Sequence, residues 1–513
     1  MTIRKSNRGS SFRFKFYCLV FVSILLFSSC SKDSVEDTVV VETTDINQFS
    51  IQKLNNPNLY ENIDFNIENS KITGRIPQLT NITDLIASFT HKGANITVDG
   101  IDQVSGHSSN DFSNVINYVV KTIEGDEKSY NVDLINFTAL PIINITTDNE
   151  LAIDTKEDYR IGHISLIGNR KFPNFENVKM KIRGRGNSTW GVHPKKPYQL
   201  KFDDKTELFG IPEDKKWIFL AEFSDKSLIR NKIAFELGYI SNLNWTPKST
   251  FAEVVVNGEH IGLYNISQKV EESDNRVALG DNGYLLEIDQ LERLDEDDVY
   301  FYSNNFLINI KEPNVEHNSS EYIFVKNLII DFEQALHGEN FKDEVNGYKK
   351  YIDIDSFIDW YLISEITKNQ DSKSFSSIFL NFVQGEKIKM GPLWDFDLAF
   401  GNVNYSDAEH PEGFWVKDHI WYKRLFEDED FVNKVKNRFI HFRENQNFIL
   451  ERMNYYENHL KWSQEENDKL WNLFGNYVWP NPVVYNSHSE EIAHLKNWFN
   501  ERMDWLDNAY IKL

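Results

Sequence analysis

The stretch Asp371–Asn402, DSKSFSSIFLNFVQGEKIKMGPLWDFDLAFGN, decides how the rest of the chain is read. An acid, Asp371, stands in a polar patch, and an apolar run with strand character, Ser377–Val383, follows it. Gln384-Gly385-Glu386 predicts a tight turn, because glycine supplies the backbone freedom a hairpin bend needs. A second strand, Lys387–Met390, leads into Gly391-Pro392-Leu393-Trp394-Asp395-Phe396-Asp397. Such a hairpin returns Asp395 and Asp397 to the end where Asp371 sits. Two positions apart in an extended segment, Asp395 and Asp397 point the same way. Three carboxylates gathered there suit a hard cation such as Mg²⁺ and offer an acceptor for a proton. Acids at such places also cap turns. Two acids inside an aromatic, apolar run are harder to explain that way, since a buried charge without a partner is costly.

Upstream, Lys181–Trp190 reads KIRGRGNSTW, and Pro194–Lys201 reads PKKPYQLK. The glycines allow close backbone approach, and Arg183, Arg185, Asn187 and Ser188 supply donors, a composition suited to phosphate. Lys195, Lys196 and Lys201 compete for the role of a phosphate-pairing lysine, with Lys196 favoured. Further on, Phe251–Val256 and Ile261–Ile266 flank Asn257-Gly258, the strongest short-range hairpin signal, and the second strand runs on to Gln268. From about residue 318 the apolar period becomes helical. Tyr351–Ile366 shows the i, i+3, i+4, i+7 pattern and delivers the chain to Asp371. Aromatic stripes in Phe431–Phe442 and Glu490–Leu506 predict core helices.

These motifs resemble the CotH kinase family, atypical protein kinases named after spore coat protein H. The resemblance rests on Asn369-Gln370-Asp371, on Trp394-Asp395-Phe396-Asp397, on RGRGNSTW with KKPYQLKF, and on the closing Leu495–Leu506 run. It covers about residues 150–508. It implies an ATP- and Mg²⁺-dependent phosphotransferase acting on Ser or Thr of a protein. Asp371 is then the catalytic residue that orients the hydroxyl and accepts its proton. Asp395 and Asp397 are metal ligands, and Lys196 and Arg183 hold phosphate. Gln268 lies at the hinge between lobes, near adenine. Some members carry Asn five residues after the first Asp, where this chain has Ser376.

The implied fold class is α+β, a β-sandwich followed by an atypical kinase-like domain of two lobes, one a mixed sheet and one helical. The boundaries read as a lipoprotein signal peptide at 1–30, an acidic tether at 31–57, an Ig-like sandwich at 58–140 and the kinase-like domain at 141–513. The leader has a basic start, a short apolar run Phe16–Phe27 and Phe27-Ser28-Ser29-Cys30, which resembles a lipobox with Cys30 as the lipidated residue. A lipid anchor at Cys30 puts the protein outside the cytoplasm, at the outer membrane or cell surface. Short alternating runs separated by Lys92-Gly93, Asp99-Gly100 and Glu124-Gly125 predict the sandwich.

With 55 Lys+Arg against 78 Asp+Glu, the chain of 513 residues carries a net charge of −23, a poor general binder of nucleic acid phosphates. Its two cysteines, Cys18 and Cys30, lie in the leader, so the mature chain has neither a disulfide framework nor a cysteine metal site. Hydrophobic content of 41% provides for a sizeable core. Two alternatives stand beside the kinase: a metal-dependent hydrolase using the same acids, for which histidines such as His193 have no ligand spacing, and a non-catalytic surface binding protein with a kinase-like fold.

Overall fold

The computed structural model describes residues 42–373 and 375–513. The leader, Cys30 and the start of the tether lie outside them. Among the described residues no helix is long and apolar enough to cross a membrane.

Two sheets open the chain. One orders Ile63–Asp64, Ile46–Ile51, Leu85–His91 and Ser109–Asn110; the other orders Asn66–Glu68, Lys71–Ile76, Glu127–Asn136, Ile116–Lys121, Asn95–Val98 and Ile101–Asp102. They share one core, in which Phe49 of the first sheet meets Tyr118 of the second edge-on at 5.1 Å. Burying each such ring is worth about 1.5–3 kcal/mol. This corrects the sequence boundary at 58. Ile46–Ile51 is already a strand, paired antiparallel with Leu85–His91, and the Tyr130 hydroxyl accepts from the Ile46 N–H and donates to Thr44 O. A register shift between Ile46 and Gln48 breaks the apolar alternation there, so the segment reads as polar tether.

A closed barrel comes next. Its strands, in order around the wall, are Ile142–Thr147, Arg160–Ile167, Phe175–Gly184, Tyr198–Leu208, Ile211–Leu220, Glu259–Gln268 and Ser249–Val256. The last closes on the first in parallel. Ile182, Leu200 and Trp217 stand side by side across neighbouring strands and fill the barrel interior. The positions beside them in sequence, Lys181, Lys201 and Lys216, are also cross-strand neighbours and therefore share the outer face. The mixed sheet expected from the sequence is closed into a barrel, six antiparallel pairs and one parallel, and a separate sheet carries the hairpin.

That second sheet orders Val299–Tyr302, Leu307–Glu312, Gly283–Asp289, Ile378–Val383 and Lys389–Met390. The predicted hairpin is its edge, with Leu380 opposite Met390 and Gly385 at φ 90° in the turn. Helices Ser320–His337, Ile354–Thr367, Glu429–Glu444, Gln446–His459 and His488–Ile511 pack around it in one large apolar core. Capping sets two of the starts: Ser319 accepts from the Tyr322 N–H and Asp353 from the Ser356 N–H. Arg75 of the sandwich reaches Glu466 at 2.9 Å, and Arg170 of a barrel loop reaches Asp133 at 2.6 Å, so guanidinium contacts tie the sandwich to the barrel and to the helical region.

Candidate active site

Helix Ile354–Thr367 ends because Lys368 takes a left-handed conformation, φ 42°. The next turn carries Asp371. The Asn369 side chain accepts from the Asp371 N–H and donates to Asp395 O at 3.0 Å. Gln370 N donates to Leu398 O at 3.2 Å, and Phe400 N to Thr367 O at 2.6 Å. The loop bearing Asp371 and the loop bearing Asp395 and Asp397 therefore lie side by side, as the hairpin reading requires. Asp395 itself sits at φ 66°, a region an aspartate enters at a cost. Such strain gathers where the surrounding structure fixes a side chain for a purpose.

The three acids act on one another. Burial, and then the charge of Asp395, push Asp371 up to about 7; the Arg293 guanidinium opposes them. Asp397 is raised well above the ordinary carboxylate range by burial and by the charges of Asp395, Glu222 and Asp371, although the Ser224 hydroxyl donates to it at 3.1 Å. Glu222, just behind, is pushed up to about 8 by burial and Asp225 while Asn231 and Asn265 donate to it. Glu287, on the sheet, is pushed up to about 8 by burial, with Lys311 working against the shift and Asp289, Asp298 and Asp395 adding to it. A surplus of carboxylates at low dielectric is what a site for a cation looks like before the cation is counted.

Cations face these acids. Arg185 packs over the Trp394 ring at 5.4 Å, and its guanidinium, lowered by burial, feels Asp395, Glu287 and Arg183. Lys269 is pushed down to about 8 by burial and by the charges of Lys216, Lys311 and Arg185, with Glu271 as the opposing acid. Lys216, on the barrel's outer face, feels Glu271 and Glu312, the latter on the second sheet. Arg185 thus looks across to Asp395 and Glu287, while Lys216 and Lys269 share Glu271.

The sequence-predicted residues are partly gathered here. Arg183 shares the outer face with Lys181 and Lys201 but stacks over Tyr159 at 4.9 Å. Lys196 turns away: its ammonium bonds Trp190 O at 2.5 Å and lies over the Trp190 ring. Lys195 instead goes inward, 1% exposed, to Leu263 O and to the Asn467 side chain at 2.9 Å, within the field of Glu222. Gln268 is corrected as an adenine contact. Its side chain is 1% exposed, accepts from the Lys248 N–H and donates to Asn275 O, so the chain's own backbone satisfies both ends. Sequence reasoning missed Lys269, one residue on, and Glu222, Glu287 and Arg293. Arg185 was in view only as one donor among several, although its place directly after Gly184 is the signal for close approach.

Lys195 gives a first test. Burial lowers it to about 7 from an ordinary 10.5. Between those values the unfolded chain holds a proton that the folded chain has lost, so stability rises with pH across the window and the penalty is fully felt below 7. In urea unfolding, wild type minus Lys195→Met is expected to gain about 1.4 kcal/mol per pH unit there. A flat difference refutes the buried amine.

Among the described residues no three His, Cys, Asp or Glu side chains are arranged to hold an ion unaided. Clefts of about 330 Å³ beside Asp359 and Arg438 and about 500 Å³ beside Asp468 and His488 lie at other places. Comparison with curated proteins finds no match. One solved structure, provisionally described as a glycoside hydrolase from Bacteroides thetaiotaomicron, aligns at 15% identity over 55% of this chain and 86% of its own, with a TM-score of 0.15, which carries no argument. The model of the CotH kinase protein family matches residues 182–506, well over half of the chain. The match takes in the Gly-rich run after Ile182, the loop of Asp371, the acids after Trp394 and the closing helix, and on that extent the chain belongs to the CotH kinase protein family.

Proposed function

We propose that the chain is an extracytoplasmic ATP- and Mg²⁺-dependent phosphotransferase that acts on Ser or Thr of a protein. In this reading the barrel is one lobe, the second sheet with its helices is the other, and nucleotide lies between. The observation that carries it is the charge arrangement: Arg185, directly after the barrel strand Phe175–Gly184, lies in the field of Asp395 and Glu287, and Asp395 in turn crowds Asp371 and Asp397. Phosphoryl transfer asks for little else than positioning and neutralisation of spread-out charge.

Asp395 and Asp397 would hold Mg²⁺, which supplies charge neutralisation at the phosphates. The donor set fits, because Mg²⁺ is commonly held by one or two carboxylates and completes its shell from phosphate and water. Arg185 and Lys269 bind phosphate oxygens, Arg185 from beside Asp395 and Glu287 and Lys269 from its pairing with Glu271 at 3.5 Å. Asp371 orients the acceptor hydroxyl and takes its proton. Tyr405, half exposed and stacked on Trp479 at 5.9 Å, lies in the field of Asp371 and Asp397 and borders the acceptor side.

Titration calorimetry with ATP, with and without Mg²⁺, tests the nucleotide; intact-mass analysis after incubation tests transfer. Binding without transfer to itself or to any surface protein favours a non-catalytic binding protein, and no binding at all refutes the kinase reading. Location is tested apart from chemistry. Cys30, at the end of an apolar leader, is proposed to be the lipidated N-terminus of a surface lipoprotein. A palmitate analogue is expected to label wild type and not Cys30→Ala; equal labelling of the two overturns it.

A further inference from the structure

Beyond the two acid-bearing loops, the segment Ser406–His419 has little structure of its own, with only single turns at Asp407–Glu409 and Val416–Asp418. Three buried charged side chains fasten it. The Glu365 carboxylate accepts from the backbone N–H groups of Trp415, Val416 and Lys417 at 2.5, 2.8 and 3.0 Å. Arg502, from the closing helix, donates to Pro411 O and Gly413 O at 2.7 Å each and pairs with Glu365 at 2.6 Å, both side chains fully buried. The Lys368 ammonium spends its three protons on Asp407 O, His410 O and Glu412 O at 2.7, 2.8 and 2.7 Å. Trp415 then donates its indole N–H to Asn369 O at 2.8 Å.

These anchors are not scattered. Glu365 is in the last turn of helix Ile354–Thr367, Lys368 is the residue that ends it, and Asn369 is the residue whose side chain sets the Asp371 N–H and touches Asp395 O. Seating a loop with apolar side chains avoids the desolvation cost that burying an ion pair and a lysine incurs. What the charged groups add is direction, since five carbonyls and three N–H groups of the segment are held at set points. We propose that Glu365, Lys368 and Arg502 are positioning residues that hold Ser406–His419 as a strap across the Asn369–Asp371 turn, fixing the aim of the Asp371 carboxylate. The inference rests on the phosphotransferase reading for its rate consequence and on geometry alone for its structural one.

Lys368→Met removes the three strap bonds and leaves every acid in place. Phosphoryl transfer per folded molecule is expected to fall about 10–10²-fold in kcat, the scale of a mispositioned group, while ATP–Mg²⁺ affinity stays unchanged. Lys368→Arg, which keeps donors for the carbonyls, is expected to recover most of the rate. Amide hydrogen exchange is expected to quicken across 369–373 and 406–417 and nowhere else. Trp415→Phe removes the indole N–H, together with some buried ring volume, and serves where Lys368→Met does not fold; it is expected to move the same quantities less. An unchanged kcat per folded molecule, or a parallel loss of nucleotide affinity, overturns the proposal. Should wild type transfer no phosphate, exchange decides alone: quickening confined to the turn and strap supports it, and unchanged exchange in Lys368→Met overturns it.

Discussion

Asp371→Asn is expected to lower phosphoryl transfer by about 10²–10⁴-fold, the usual worth of general-base help, with nucleotide affinity essentially kept. The substitution preserves shape. The Asp371 N–H stays on the Asn369 side chain, and the loop stays tied to Leu398 and Asp395 through backbone groups. What disappears is a carboxylate raised to about 7 by burial and by Asp395. A base must be deprotonated to act, so the free enzyme's kcat/KM is expected to fall on the acid side of about pH 7 and to lose that limb in the variant. A cation on Asp395 screens the repulsion, so the limb in kcat is expected at lower pH. Labelled-ATP transfer assays across pH, beside calorimetry, separate the two constants. An Asn variant with wild-type kcat removes Asp371 from the chemistry.

The hairpin that organises the site was legible because its signals are local: an apolar run, a glycine turn and two acids at period two, all within Asp371–Asn402. Turn and register follow from the chain immediately around them, and the strands form at Ile378–Val383 and Lys389–Met390. Closure of the barrel was not legible. It depends on Ile142–Thr147 pairing in parallel with Ser249–Val256 about a hundred residues away, and nothing in either strand alone names its partner. The start of the sandwich was missed for a third reason, a register shift that disturbs alternation in Ile46–Ile51.

Lysines were the hardest to read. Lys195 and Lys196 are neighbours in the bend ahead of the strand Tyr198–Leu208, and they part, one to Asn467 and the other to Trp190 O. Composition says nothing about which side is inside. The fold sends Lys195 to Asn467 on helix Ser463–Trp471, an approach that Gly262 permits, since a Cβ there would stand 2.6 Å from the Asn467 oxygen. Lys269 follows the barrel strand Glu259–Gln268, Glu287 lies on Gly283–Asp289 of the other sheet, and each comes within the field of Arg185 only through the tertiary fold. Charge complementarity across two elements is a tertiary property, which is why the acids close in sequence were found and their counter-charges were not.

Asp395→Asn is expected to do two opposite things. Without ligand the fold should gain stability. The Asp395 charge raises Asp371, Asp397 and Glu287 together, so neutralising it relieves three repulsions at once. Against that stands the lost attraction to Arg185, which retains Glu287. The balance is expected to favour the variant by about 1–2 kcal/mol, a rise of a few degrees in Tm. With ATP and Mg²⁺ the order reverses. Wild type, binding the pair, is stabilised in proportion to ligand over Kd, and the variant, short of the charge that holds the metal, is not. Binding is expected to weaken by at least about 10²-fold, and transfer to fall to background. Thermal melts of the two proteins with and without ATP–Mg²⁺ read both halves. A site that stabilises the empty protein when disarmed holds its acids together for something other than folding. A variant less stable than wild type when empty, yet equally stabilised by ATP–Mg²⁺, makes Asp395 a structural acid and moves the metal elsewhere.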